Sequence, residues 1–261
     1  MRSAKELGVE RSIQSVDRAV AIIKYIAAKG NAAHLTDISA GVGLSNSTAH
    51  GLLAALKRGG LVEQVGETRK YALGIGIFEL GQAVYRQMNI HRIALPYLQH
   101  LVEKYRETSQ LAILSEGEIV YIEKVESPRS IRMISAVGSR HPAHCTGLGK
   151  SLLSGLSEDE FADFLKRRPL VRYTANTITD PEKLRKEIEG VRRNGYSLDR
   201  EEIEDGLRCV AAPIRNDKDS TVAALSISMP ANRLRQEDLP RIVADIKGAA
   251  TEISRKLGYP G

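Results

Sequence analysis

Apolar residues recur at helical spacings through the first third of the chain. Val16, Ala19, Val20, Ile23 and Ile26 form one stripe, which predicts a helix begun by Ser15 and closed by Gly30-Asn31. Thr36 and Asp37 are helix-start residues, and Ile38, Ala40 and Val42 give the next short helix an apolar side. Gly41 and Gly43 suit a tight turn. Ser45 then caps a third helix whose apolar positions, Ala49, Leu52, Leu53 and Leu56, share one face, and Gly59-Gly60 end it. The run Leu35–Val62 therefore reads as a helix-turn-helix. After it, Leu61–Gln64 and Arg69–Leu73 read as two short strands around a turn at Gly66-Glu67-Thr68. Together these form a winged helix-turn-helix domain over residues 13–74.

The pattern then changes. Residues 75–90 predict a linker helix, with Ile77, Leu80, Val84 and Met88 in one stripe and Phe78 and Tyr85 beside it. Such an apolar helix needs a cover, either its twin in a dimer or the second domain of its own chain. Residues 91–261 form that second domain. A helix is expected over Leu95–Glu107 with Pro96 in its first turn. Strand-like runs follow at Gln110–Ser115, Glu118–Val125 and Ile131–Val137, the first two hinged at Glu116-Gly117. A glycine-containing stretch around Gly147 opens a helix, and Ser157–Glu160 is a capping box for another. Asp180-Pro181 starts a helix stopped by Asn194-Gly195. Tyr196–Asp199, the strands Arg208–Ile214 and Thr221–Met229, and a closing helix Leu239–Leu257 complete the domain. The fold class is α+β, with a mixed or antiparallel sheet flanked by helices.

Charge sharpens the reading of the first domain. The net charge is +6, which favours a polyanionic partner. Residues 1–74 hold ten Lys and Arg against six Asp and Glu, so four of the six excess charges sit there. On the third helix, the face opposite the apolar stripe carries Ser45, Asn46, Ser47, Thr48 and His50. These short or planar polar groups suit base edges and phosphates when a helix N-terminus enters a major groove. Arg69 and Lys70 would lie at the wing, over the flanking backbone. Arg11-Ser12, in a polar start, reads as part of a disordered tail, with a phosphate-contacting arm as the alternative. An ordinary helical hairpin with a solvated face is the competing structural reading.

Two places in the second domain are chemically suggestive. Thr146–Ser151 resembles the tail of a phosphate-binding loop, but the first glycine of that motif would fall at His144. A carboxylate-sized anion at this helix start fits better, and a plain tight turn is the alternative. In Thr221–Met229, Ser226 and Ser228 share a face about 7 Å apart along the strand, suited to a polar pocket or to solvent. Cys209 and Asp199 fall near them in the order of elements. Only Cys145 and Cys209 are present, which excludes a disulfide scaffold and fits a reducing compartment. His144-Cys145 could serve as a nucleophile pair, yet no third orienting group is evident, and a metal site from His141, His144, Cys145 and Cys209 would have odd spacing. The start has no apolar signal core, and no run approaches a membrane span. A cytoplasmic protein with no membrane partner is expected.

Several motifs, in order, resemble the IclR family of bacterial transcriptional regulators over about residues 12–257. They are Ser15–Ala19, Leu44–Thr48, Tyr71–Gly74, Cys145–Lys150, Tyr196–Asp199 through Glu202, Gly206–Cys209 with Ala212–Ile214, and Ala224–Ser228. The resemblance implies a winged-helix DNA-binding domain, a linker helix and a GAF-like effector domain. It further implies a homodimer or tetramer on a palindromic double-stranded DNA operator. Effector-binding positions carried over by motif are Met133, Gly147, Leu148, Asp199, Cys209, Ser226 and Ser228. Met229, where the family often has glycine, is expected to narrow the pocket floor. The expected function is a transcription regulator controlled by a small organic or aromatic acid, not an enzyme and without a cofactor. The alternatives are a metal- or thiol-responsive regulator, or an enzyme domain fused to a DNA-binding domain.

Overall fold

The computed structural model describes residues 13–66, 68–130 and 135–261. Arg11-Ser12, Glu67 of the wing turn and Met133 lie outside the described residues. The chain divides into two units between Met88 and Asn89.

The first unit is built on three helices, α1 (Gln14–Ala28), α2 (Leu35–Gly41) and α3 (Asn46–Arg58). Their stripes meet in a core of Ile22, Ile26, Ile38, Leu53 and Val62. Fully burying each such side chain contributes about 1.5–3 kcal/mol. Ser45 caps α3 as expected, its Oγ accepting the Thr48 N–H. Gly43, at φ +67°, makes the turn between α2 and α3 in a region that disfavours side chains. The cap of α1 differs from expectation. α1 follows Ile13, not Ser15, and α2 follows His34 with Thr36 and Asp37 in its first turn; neither has a side-chain cap. Ala33 exchanges backbone hydrogen bonds with Tyr71, and this anchor sets where the chain turns into α2.

The wing pairs β1 (Val62–Gln64) with β2 (Tyr71–Leu73). Arg69 and Lys70 precede the returning strand rather than opening it. Arg69 stands at φ +53°, its N–H donating to the Val65 carbonyl, while the Lys70 carbonyl accepts from the Val65 N–H. Helix α4 (Ile75–Gln87) follows. Its Leu80 and Val84 are left about 60% exposed, as are Ile75 and Phe78.

The second unit opens with α5 (Asn89–Tyr105), which begins six residues before the expected start and places Pro96 inside the helix. An internal proline costs about 3 kcal/mol. Burial of Ile90 and Ala94 before it and Leu98, Leu101 and Val102 after it, on one stripe, outweighs that cost. A six-stranded sheet follows: β3 (Thr108–Ser115), β4 (Glu118–Val125), β5 (Arg140–Pro142), β6 (Ser197–Arg200), β7 (Leu207–Arg215) and β8 (Thr221–Pro230). Its order is β5-β4-β3-β8-β7-β6, with every neighbour antiparallel. The strand expected at Ile131–Val137 falls largely outside the described residues, and 135–137 are not strand. Helices α6 (Gly147–Leu153), α7 (Glu158–Arg167) and α8 (Pro181–Asn194) build a core over one face with Tyr121, Ala211 and Ala224. Helix α9 (Leu239–Lys256) packs with α5 and with β7 and β8. The capping box at Ser157 and Glu160 forms as expected. No helix among the described residues is long and apolar enough to cross a membrane.

Candidate functional site

In the first unit, α3 presents the candidate DNA-reading face. Ser45, Asn46, Ser47, Thr48 and His50 are all exposed, while Ala49 and Leu53 beneath them are buried. The hydroxyls form one cluster: Ser45 Oγ lies 2.9 Å from Thr48 Oγ1 and 3.1 Å from Ser47 Oγ. Asn46 Oδ1 accepts the Ser39 hydroxyl from α2 at 2.5 Å. The carboxamide is thereby oriented by a buried residue that the sequence did not single out. Arg69 is exposed and Lys70 half-buried on the wing.

In the second unit, strand register brings the scattered effector candidates into two rows. Asp199, Cys209, Ser228 and Thr108 stand opposite one another across β6, β7, β8 and β3. Ser197, Ala211, Ser226 and Gln110 make the neighbouring row. Residues two apart on a strand share a face, so Ser226, Ser228, Cys209 and Asp199 meet under Gly147 and Leu148 at the start of α6. The cavity they line, with Tyr121, is about 10 Å³, room for about one water molecule.

The two serines are buried, not solvated. Both donate to Gln110 Oε1, Ser228 at 3.0 Å and Ser226 at 3.4 Å, and Gln110 Nε2 donates to Ser135 Oγ at 2.6 Å. Asp199 Oδ1 accepts the Glu202 N–H at 2.8 Å. Its Oδ2 is buried without a hydrogen bond of ordinary geometry among the described residues, the Cys209 thiol opposite on β7 being a weak donor toward the carboxyl. Burial, helped by the Glu202 charge and opposed by that backbone bond, pushes the Asp199 carboxyl up to about 7.

Lys150 is not a phosphate-binding lysine. It is fully buried, donating to Glu202 Oε1 at 2.5 Å and Glu187 Oε1 at 3.0 Å. At the start of α6, Thr146 Oγ1 accepts the Gly149 N–H, which removes one donor from any anion there. Gly149 itself is wedged against Ala143, whose carbonyl oxygen would lie 2.1 Å from an added Cβ.

Met229 corrects an expectation. It alternates with Ser228, so its side chain faces away from the cavity and lines a different one with Tyr105 and Ile242. It therefore does not form the pocket floor. The nucleophile reading lacks a reactive thiol: burial pushes Cys145 up to about 12 and Cys209 well above the usual range. His144 Nε2 is occupied by the Val171 carbonyl at 2.9 Å. Among the described residues no cluster of three or more His, Cys, Asp or Glu could hold a metal ion. Thr146, from the glycine-containing stretch, also lines the cavity, as do Gln110, Tyr121 and Ile203, which the sequence did not single out. Gln110 was legible as a long polar side chain between Thr108 and Ala112 on one strand face.

The chain matches the bacterial transcriptional regulator IclR C-terminal model over residues 82–255 and the IclR helix-turn-helix domain over residues 15–66. It is 37% identical over 248 residues to the HTH-type transcriptional regulator XynR of Escherichia coli (strain K12), covering 95% of this chain and 98% of that protein. It is 35% identical over 255 residues to the acetate operon repressor of Salmonella typhimurium, covering 97% and 92%. An IclR homolog from Microbacterium hydrocarbonoxydans, solved with 4-hydroxybenzoate, has a TM-score of 0.83 and 28% identity, covering 93% of this chain and 98% of that one.

Proposed function

The chain belongs to the IclR family of bacterial transcriptional regulators, and from that premise we propose how it reads DNA and how it is controlled. It is a DNA-binding transcription regulator, not an enzyme. We assign operator reading to residues 13–74, the link to residues 75–90 and control to residues 91–261. Asn46, Ser47, Thr48 and His50 read base edges and phosphates from the start of α3, Ser45 holds that helix start, and Arg69 and Lys70 hold the flanking backbone.

The effector is a small organic or aromatic acid that enters between α6 and the sheet. Asp199, with a buried carboxyl oxygen that makes no hydrogen bond of ordinary geometry among the described residues and has only the weak Cys209 thiol beside it, is the observation that carries this reading. A buried polar atom costs free energy until a ligand satisfies it. A carboxyl that holds its proton near neutrality also donates to an incoming carboxylate instead of repelling it. Gly147 and Leu148 form the lid, and Ser226, Ser228 and Cys209 the floor; Met133 joins them by family motif. The cavity is closed around Gln110, so an effector binds by exchanging those internal hydrogen bonds for its own. That exchange shifts the balance between DNA-competent and incompetent forms.

The exposed apolar residues of α4 favour a homodimer or tetramer, which suits a palindromic operator. We place its action in the cytoplasm. A thermal-shift screen of organic acids, followed by calorimetry on the best stabiliser, tests the control site. Wild type should bind and Ser226→Ala/Ser228→Ala should not; equal affinity in both would remove the assignment.

A further inference from the structure

On the far side of β8 from the effector cavity lies a second, open cavity of about 380 Å³, within the range of small-ligand sites. Five cationic side chains line it, Lys104, Arg129, Arg233, Arg235 and Arg241, against two carboxylates, Glu107 and Asp238. The carboxylates are engaged. Glu107 is buried and accepts Arg233 Nη1 through both oxygens, at 3.1 and 3.3 Å, with Arg129 Nε 3.4 Å away. Asp238 accepts Arg241 at 2.8 Å, and Asp245, outside the cavity, takes Lys104 at 2.5 Å. The Arg235 guanidinium lies 3.4 Å from the exposed Glu237. Counting Glu237 and Asp245, five cations converge with four carboxylates, and the lining of the cavity itself carries five cations against two, a concave place that attracts anions.

The arrangement has the parts of an oriented anion site. Arg233 is fixed by a buried acid, so its guanidinium is held without loss of rotamer freedom on binding. Arginine forks match the geometry of phosphate oxygens. Met229 and Ile242, both buried, supply an apolar wall for an organic body. We propose that this cavity is a second ligand site, for a small phosphomonoester, set back to back with the effector cavity across β8.

The coupling follows from the strand. Met229 touches this cavity and its neighbour Ser228 the other. Glu107 adjoins Thr108, which pairs with Ser228. An occupant of one side bears on Met229 and an occupant of the other on Ser228, its neighbour on β8, so the two ligands influence one another.

Calorimetry on the full chain with glycerol 3-phosphate tests this. Three proteins are compared: wild type, Arg235→Gln/Arg241→Gln and Ser226→Ala/Ser228→Ala. The two arginines are largely exposed, 71% and 63%, so their loss leaves the fold intact. Wild type and the serine variant should bind the phosphomonoester alike, and the arginine variant about tenfold or more weakly, as expected for lost charge-assisted bonds. No binding to wild type at millimolar concentration overturns the proposal, and so does equal affinity in the arginine variant. Loss confined to the serine variant would place the anion in the effector cavity instead. Weaker operator binding by the arginine variant, with no phosphomonoester present, would assign the cluster to DNA and equally overturn it.

Discussion

The Lys150 ammonium lies 2.5 Å from Glu202 Oε1, and the two side chains are 0% and 3% exposed. This buried pair sits beside Asp199, whose carboxylate oxygen accepts the Glu202 N–H. It ties α6, which roofs the proposed effector cavity, to the loop after β6, which supplies one of its walls. Removing one partner of a buried pair leaves the other uncompensated, at a cost of about 3–5 kcal/mol. Lys150→Met should therefore lose about that much stability in urea unfolding at neutral pH. An unchanged unfolding midpoint would mean that the pair is open to water in solution.

Asp199 gives a pH signature. Its folded-state carboxyl titrates near 7 against a usual 3.8. Between those values the unfolded chain has released this proton and the folded chain still holds it. Stability contributed by the site is therefore greatest below 3.8, falls as pH rises through the window and levels off above 7. Other carboxyls, such as Glu187 and Asp245, are held below their usual range and contribute the opposite slope at lower pH. The difference between wild type and Asp199→Asn isolates the site. Relative to the variant, wild type should lose unfolding free energy from pH 5 to pH 7 at up to about 1.4 kcal/mol per pH unit. Parallel curves over that range would show that Asp199 is ionised throughout.

What the sequence made legible follows from local chemistry. Ser45 and the Ser157–Glu160 box are capping signals whose partners lie within three residues, and both formed. Period-two alternation put Ser226 and Ser228 on one face, but only strand pairing could show that Gln110 lies opposite Ser226 and ties both hydroxyls. Lys150 and Glu202 are 52 residues apart, and nothing in either segment announces the pairing. Met229 was legible yet misread, because the same alternation that unites the serines turns it away from them. Thr36 and Asp37 fall in the first turn of α2, as helix-start residues should, although neither caps it.

On the proposed DNA-reading face, Ser39 positions Asn46. It is 4% exposed and touches Asn46 Oδ1 at 2.5 Å without being on the presented face. Ser39→Ala frees the Asn46 carboxamide to rotate, at a cost of about 1 kcal/mol for the lost hydrogen bond. Operator affinity should fall severalfold while the slope of affinity against salt stays constant, because no phosphate contact is lost. Arg69→Gln should instead lower that slope by about one unit. A changed slope in Ser39→Ala would mean that the mutation disturbs the backbone contacts and not the carboxamide.

Gly147 tests the cavity with one methyl group. A Cβ there would lie 3.4 Å from the Cβ atoms of both Ala211 and Cys209, an ordinary contact that needs no backbone shift. Gly147 is the first residue of α6, so alanine costs no helix stability and favours the helix by up to about 1 kcal/mol. The methyl group nevertheless takes up the space between α6 and β7 where an effector must enter. Gly147→Ala should match or exceed wild type in melting temperature while binding the effector at least about tenfold more weakly, the loss expected of overfilling a tight site. Operator binding without effector should be unaffected, and release from the operator by effector should need correspondingly more of it. A variant that melts as wild type and binds the effector with full affinity would show that the ligand lies elsewhere in the domain.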